Sequence, residues 1–364
     1  MQAPPKPESQ EDLLTALRET LVSRLPPSWR MELTQEPGFG RSQPDATIEL
    51  SGPDGTRTTL LVEAKTTLNA RDVPALLAQL DALRLTSSWE GLGPLLVTSR
   101  YIAPRTREML AAAGVSYADA TGNVRIAIDQ PALYLEGLGA KSDPWRGPER
   151  ETRSLRGKPA ARVVRALADF PPPFGIRELA ERSGASVGST YRTVDFLEKE
   201  ALLTRGERGK VLTVDWRELL LRWSEDYDFQ DSNRILPVLE PRGIGRVIEK
   251  LRQLQSDTPY AVTGSLSAHR VTQVAEPRLV AILTPQVDRL AEELELHEAA
   301  GFPNVLLARP FDDLLLARSS VFKGVTYSAF SQTAVDLMTG PGRDPAEAEE
   351  LLGWMSANEE AWRG

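Results

Sequence analysis

Residues 44–50 read PDATIEL, residues 51–55 SGPDG and residues 57–66 RTTLLVEAKT. The first and third segments have strand composition, and the Gly-Pro-Asp-Gly run between them is turn chemistry, so the sequence predicts an antiparallel hairpin. Side chains alternate along a strand, which puts Glu63 and Lys65 on one face and Ala64 on the other. Asp45, on the neighbouring strand, can approach that same face. Two carboxylates and one amine then share a small volume. Asp45 and Glu63 are candidate ligands for a hard cation such as Mg2+, which prefers carboxylate oxygen and keeps part of its water shell. Such an ion stabilises charge on a phosphate and lowers the pKa of its bound water, and Lys65 would position or help activate that water. The plain alternative is a surface hairpin whose charged residues face solvent.

The flanking segments extend this pattern. Residues 73–85 read as a helix carrying Gln79, residues 93–101 (GPLLVTSRY) as a strand, residues 103–113 as a helix, and residues 115–128 (VSYADATGNVRIAI) as a strand pair. With the Pro44-Asp45 and Glu63-Ala64-Lys65 spacing, that order resembles the PD-(D/E)xK, restriction-endonuclease-like fold over roughly residues 13–138. The resemblance extends to the Mrr-type pattern of a second strand, a helix and an aspartate before the last turn. It implies a catalytic set of Asp45, Glu63, Lys65 and Gln79, with metal on Asp45 and Glu63. Glu11 or Glu19 on a first helix would be the extra carboxylate that many members carry.

Composition sets the outer limits. A chain of 364 residues holds two or three domains, and 41% hydrophobic with 26% charged residues is ordinary for a globular protein. No apolar run reaches the length of a membrane helix, and the start, MQAPPKPESQED, lacks signal-peptide character, so no membrane association and a cytoplasmic location are expected. With no Cys and only two His, His269 and His297, disulfides, thiolate metal sites and multi-histidine sites are excluded. Both histidines read as surface or packing residues.

The net charge of −8 is unevenly spread. Residues 150–222 carry fifteen Lys and Arg against ten acids, so a basic module sits inside an acidic protein. Residues 140–159, rich in Pro, Gly and charge, read as a linker that closes a first domain at residue 139. Residues 160–170 then read as a helix stopped by Pro171-Pro172-Pro173. Residues 176–205 read as two helices joined by a turn at Ser183-Gly184-Ala185, and residues 202–214 (LLTRGERGKVLTV) as a two-stranded wing. This order is similar to the winged helix of MarR- and IclR-type regulators. The resemblance implies a helix in the major groove of double-stranded DNA, presenting Ser186, Gly188, Ser189, Tyr191 and Arg192 to base edges and phosphates. Arg205, Arg208 and Lys210 would contact phosphate from the wing. A winged helix used for protein docking is the alternative.

Residues 223–364 read as an acidic α/β domain. Thr263-Gly264-Ser265 after a strand resembles the start of a nucleotidyltransferase fold, but the following stretch supplies only Glu276 where that family needs paired aspartates, so the domain is expected to be degenerate. Residues 262–270 (VTGSLSAHR), 301–313 (GFPNVLLARPFDD) and 331–352 (SQTAVDLMTGPGRDPAEAEELL) are similar to the C-terminal part of AbiEi-like antitoxins of type IV toxin-antitoxin systems. That resemblance implies promoter binding, a homodimer or a toxin partner; the nuclease-like domain in front departs from it. The expected fold class is therefore a multidomain α/β protein with a winged helix-turn-helix at its centre, bounded at residues 160–222. Two functions stay open: a transcription regulator, and a Mg2+-dependent DNA endonuclease targeted by its winged helix.

Overall fold

The computed structural model describes residues 6–35, 44–84, 93–145, 154–272, 276–299 and 301–364. The chain is a multidomain mixed α/β protein that divides into two compact units, residues 1–150 with 199–201 and residues 151–198 with 202–364. Leu85, the expected end of one helix, and residues 146–153 of the expected linker lie outside the described residues.

The first unit opens with α1 (Gln10–Arg24). Its start is fixed by a capping box in which the Ser9 hydroxyl accepts from Asp12 N at 3.1 Å and the Asp12 carboxylate accepts from Ser9 N at 2.9 Å. Strands β1 (Arg30–Gln35), β2 (Ala46–Ser51) and β3 (Arg57–Lys65) follow, then α2 (Val73–Arg84), β4 (Leu95–Ser99), α3 (Pro104–Ala112), β5 (Ser116–Asp119), β6 (Val124–Ile128) and β7 (Leu133–Gly137). The seven strands form one sheet in chain order. β3, β4 and β5 run parallel, while β1, β2, β6 and β7 pair antiparallel with their neighbours. The β2–β3 turn closes at Gly55, where φ is +82° and a side chain would be strained, and Asp54 accepts from Thr56 N at 3.0 Å.

Both faces of the sheet are covered. Leu14, Leu17 and Leu21 of α1 pack on Ala46, Ile48, Leu60, Val62, Leu96 and Ala118. On the opposite face Leu76, Leu80 and Leu110 from α2 and α3 pack on Leu61, Val97 and Tyr117. Two-sided burial explains why β3 reads as a continuous apolar run before Glu63.

The second unit begins with Leu155, which is buried and donates its backbone N–H to Asp226 at 2.7 Å. The tail of the expected linker is thus anchored. Helices α4 (Lys158–Asp169), α5 (Ile176–Ser183) and α6 (Val187–Lys199) are followed by a hairpin of β8 (Leu203–Arg205) and β9 (Val211–Val214), then α7 (Trp216–Ser224). Gly184, in the left-handed conformation, ends α5. Phe174 pairs with Val211 and ties the segment before α5 to the hairpin. Next come α8 (Phe229–Ser232), β10 (Arg234–Leu239), α9 (Ile244–Gln253), β11 (Ala261–Thr263), α10 (Gly264–Ala268), β12 (Val280–Leu283), α11 (Val287–Glu293), β13 (His297–Glu298), β14 (Val305–Arg309), β15 (Ser320–Phe322), β16 (Val325–Tyr327), α12 (Phe330–Met338), α13 (Asp344–Ala357) and α14 (Glu359–Trp362). Their strands form a second mixed sheet in the order β13-β10-β14-β12-β11-β16-β15.

The domain boundary expected at residue 222 falls inside α7, whose Leu219, Leu220 and Trp223 share a continuous core with Val164 and Leu167 of α4 and with Val335 and Leu351 of α12 and α13. At its centre is a buried polar chain. Arg165 donates to Asp169 at 2.9 Å and to Gln332 Oε1 at 2.8 Å, and Gln332 Nε2 donates to Asp336 at 2.7 Å. Asp336 also accepts from Tyr227 at 2.7 Å and from Thr263 at 2.5 Å. Linked in this way, buried polar groups favour one arrangement of the helices around them, although Arg165 Nε has no partner among the described residues.

Burial pushes the Asp336 carboxyl up from 3.8 to about 6, against the lowering effect of its three donors and of Arg165. The folded chain holds this proton more tightly than the unfolded one. Its stabilising contribution is therefore full below the unfolded value of 3.8 and is lost as the pH rises through about 6. Asp336→Asn removes that loss. In urea unfolding between about pH 4 and 7, the gap between variant and parent is expected to move in the variant's favour as the pH rises; a constant gap would show that Asp336 does not titrate there.

Candidate functional site

Asp45 stands immediately before β2, one residue ahead of the Ala46–Val62 pair, and its backbone N–H donates to Val62 O at 3.0 Å. Alternation puts it on the face that carries Leu61, Glu63 and Lys65. Its Oδ2 accepts from Ala64 N at 2.8 Å. Glu63 is only 3% exposed, and its Oε1 accepts from Lys65 Nζ at 2.5 Å and from Gln79 Nε2 at 3.2 Å. Helix α2 is thus placed so that Gln79 meets the carboxylate sixteen residues before it. Asp45, Glu63, Lys65 and Gln79 come together; Glu11 and Glu19 do not. Those two are exposed on α1, which packs on the opposite face of the sheet.

The donor set fits a hard divalent cation. Mg2+ is commonly held by one or two carboxylates with water completing its shell. Oδ1 of Asp45 and Oε2 of Glu63 accept no hydrogen bond among the described residues, so each carboxylate keeps one oxygen to offer. No group of three or more His, Cys, Asp or Glu suited to a metal occurs among the described residues.

Two neighbours escaped the reading of the sequence. The parallel ladders align Lys65 with Ser99, and Ser99 with Asp119. Ser99 is fully buried and its hydroxyl has no partner among the described residues. Asp119 accepts from Ile102 N at 3.0 Å, Thr121 N at 2.9 Å, Thr121 Oγ1 at 2.6 Å, Asn123 N at 3.1 Å and Asn123 Nδ2 at 2.8 Å. Five donors make it the organiser of its turn. The Asp-Ala-Thr-Gly-Asn run of residues 119–123 was the available signal.

The second cluster lies on α6 and the hairpin. Thr190, Thr193, Val194, Phe196 and Leu197 of α6 are buried, which turns Val187, Gly188, Tyr191 and Arg192 outward. Ser186 precedes the helix and its Oγ accepts from Ser189 N at 3.2 Å; Arg192 donates to Ser189 Oγ at 3.1 Å. The acids of α6 lie later and are engaged. Arg205 donates to Asp195 at 3.1 Å and also to Glu198, and its guanidinium sits 5.8 Å from the Tyr191 ring centre. The Glu198 hydrogen bond, and then Asp195, push the Arg205 pKa above its ordinary value. Arg205 is therefore occupied within the module, and Arg208 and Lys210 are the exposed cations of the hairpin turn.

In the acidic sheet, Gly264 takes φ +66° at the start of α10, directly after β11. β12 places Val280, Ala281, Ile282 and Leu283 beside it, without a carboxylate. His269 is half-buried and His297 exposed. Among the described residues no helix is long and apolar enough to cross a membrane. In comparisons with known proteins, the chain matches no family model, no curated protein and no solved structure.

Lys65→Ala leaves Glu63 buried with Gln79 as its remaining donor. The expected cost is about 1–3 kcal/mol of unfolding free energy in denaturant titration. A variant as stable as the parent would mean that Glu63 is solvated, contrary to the observed burial.

Proposed function

We propose that this protein is a winged-helix DNA-binding protein acting as a bacterial transcription regulator. The observation that carries the reading is α6, whose outward first half, Val187 to Arg192, holds no acid and stands with two exposed cations, Arg208 and Lys210, on the adjoining hairpin. A helix N-terminus free of carboxylates attracts phosphate, and a major groove admits an α-helix. Arg192 would read base edges, and Arg208 and Lys210 would bind phosphate in the flanking groove. Asp195 and Glu198 lie on the later turns of α6, where Arg205 pairs with both and offsets part of their charge.

A second reading is favoured by the convergence of Asp45, Glu63, Lys65 and Gln79 on one sheet face at the carboxyl end of β3. In it the protein is a Mg2+-dependent DNA endonuclease. Mg2+ held by Asp45 and Glu63 would stabilise charge on the scissile phosphate and supply an acidified water. Lys65, already tied to Glu63, would orient that water, and Gln79 would hold Glu63 in place.

Arg192→Ala should weaken specific duplex binding by about 1–3 kcal/mol, whereas Arg208→Ala and Lys210→Ala should each lower the salt slope of binding by about one. Arg205→Ala should act mainly through stability, since it leaves Asp195 and Glu198 without their cation. Filter binding across a salt series, with melting curves, separates the cases. Equal effects of all four on an unchanged salt slope would sink the groove assignment. For the second reading, plasmid incubated with Mg2+ or Mn2+ should be cut by the parent and left intact by Asp45→Asn; no cutting with either metal removes it.

A further inference from the structure

Val187 and Tyr191 are 51% and 53% exposed, although both are apolar in body and sit on a short helix whose other face is buried. They lie one helical turn apart, and Gly188 lies beside this pair, with Tyr191 three and Arg192 four residues on as its neighbours along the helix. Nothing inside the protein requires glycine there. Its φ is not positive, and a Cβ would meet only Arg192 NH1, at an ordinary 3.5 Å. A glycine in a helix is destabilising relative to alanine. Its use here leaves a notch one methyl group wide, beside the Tyr191 ring and the Arg192 guanidinium and next in the chain to Val187.

The walls are held in place. Tyr191 has the Arg205 guanidinium against its ring, and that guanidinium is clamped by Asp195 and Glu198. Arg192 is drawn along the helix to Ser189, which Ser186 engages in turn. The notch is therefore bordered by an aromatic ring and by a cation.

We propose that this notch receives the 5-methyl group of a thymine in the major groove, with Val187 and Tyr191 as specificity-determining residues. In that groove thymine offers a methyl group where cytosine offers none, and apolar contact is the way it is read. The inference rests on the DNA-binding reading above and adds to it a base identity and a residue, Val187, outside the polar set that the sequence points to.

The test uses the full chain in buffer with EDTA, so that no metal-dependent cleavage interferes. A site is first enriched from a randomised duplex library, and each of its thymines is then replaced by deoxyuridine, which lacks only the methyl group. One replacement should weaken binding about fourfold, the value of one buried methyl-sized group. Gly188→Ala should bind the thymine duplex more weakly than the parent does, and should bind the deoxyuridine duplex better than its own thymine duplex, because the added methyl fills the vacated space. Alanine is the better helix former, so misfolding does not confound this variant. Indifference of the parent to every replacement, or an equal loss by the variant on both duplexes, overturns the proposal. Duplex binding without an enriched sequence also overturns it and leaves DNA binding standing. No duplex binding at low salt overturns both.

Discussion

The chemistry of the first unit depends on one constraint: β3 is buried on both faces. Leu60 and Val62 meet α1, and Leu61 meets α2 and α3, so the strand has no solvent side on which to place a charge. Glu63 occurs in that strand nevertheless. A buried carboxylate is costly unless it is paired and hydrogen-bonded, and Lys65 and Gln79 meet that need from two directions. The grouping follows from the two-sided burial of one strand, whether or not a cation joins it. Such an arrangement is stable as a structural ion pair and also suits a metal-dependent centre.

In the second unit the corresponding device is Arg165. A guanidinium buried on α4 faces Asp169 on its own helix and Gln332 on α12, and from Gln332 the chain of hydrogen bonds continues to Asp336 and Thr263. Two helices, α4 and α12, and the start of the α10 turn are thereby tied together by polar geometry. The continuous core from Leu155 to Trp362 follows from this, since α7 and α12 can share one apolar interior only if their relative position is fixed.

What the sequence made legible was local. Alternation around Glu63, the Gly-Pro-Asp-Gly turn, the proline stop after α4 and the Gly184 turn can all be read, because each depends on residues within a few positions of one another. The elements that depend on distant partners were hidden. β1, with the burial pattern of an exposed edge, has little apolar signal of its own. α12 buries Ser331, Gln332, Thr333 and Asp336, so its polar composition disguises its place in the core. Arg205 reads from the sequence as a wing cation beside Gly206, Glu207 and Arg208, and the fold adds partners that those neighbours do not reveal. Those partners sit seven and ten residues earlier, across the α6–β8 turn.

The two proposed sites differ in exposure. A hydrolytic centre must admit a cation, a water and a phosphate, yet Glu63 is 3% exposed and one of its oxygens already holds two donors. A cation would have to reach its other oxygen, Oε2, past the half-exposed Lys65. On α6 the situation is reversed. The buried side is complete, Asp195 and Glu198 are paired with Arg205, and the residues left facing outward include two apolar groups more than half exposed. The two proposed readings thus make different demands: a groove contact would use side chains of α6 that are already exposed, whereas a hydrolytic centre would need access to a carboxylate that is largely buried.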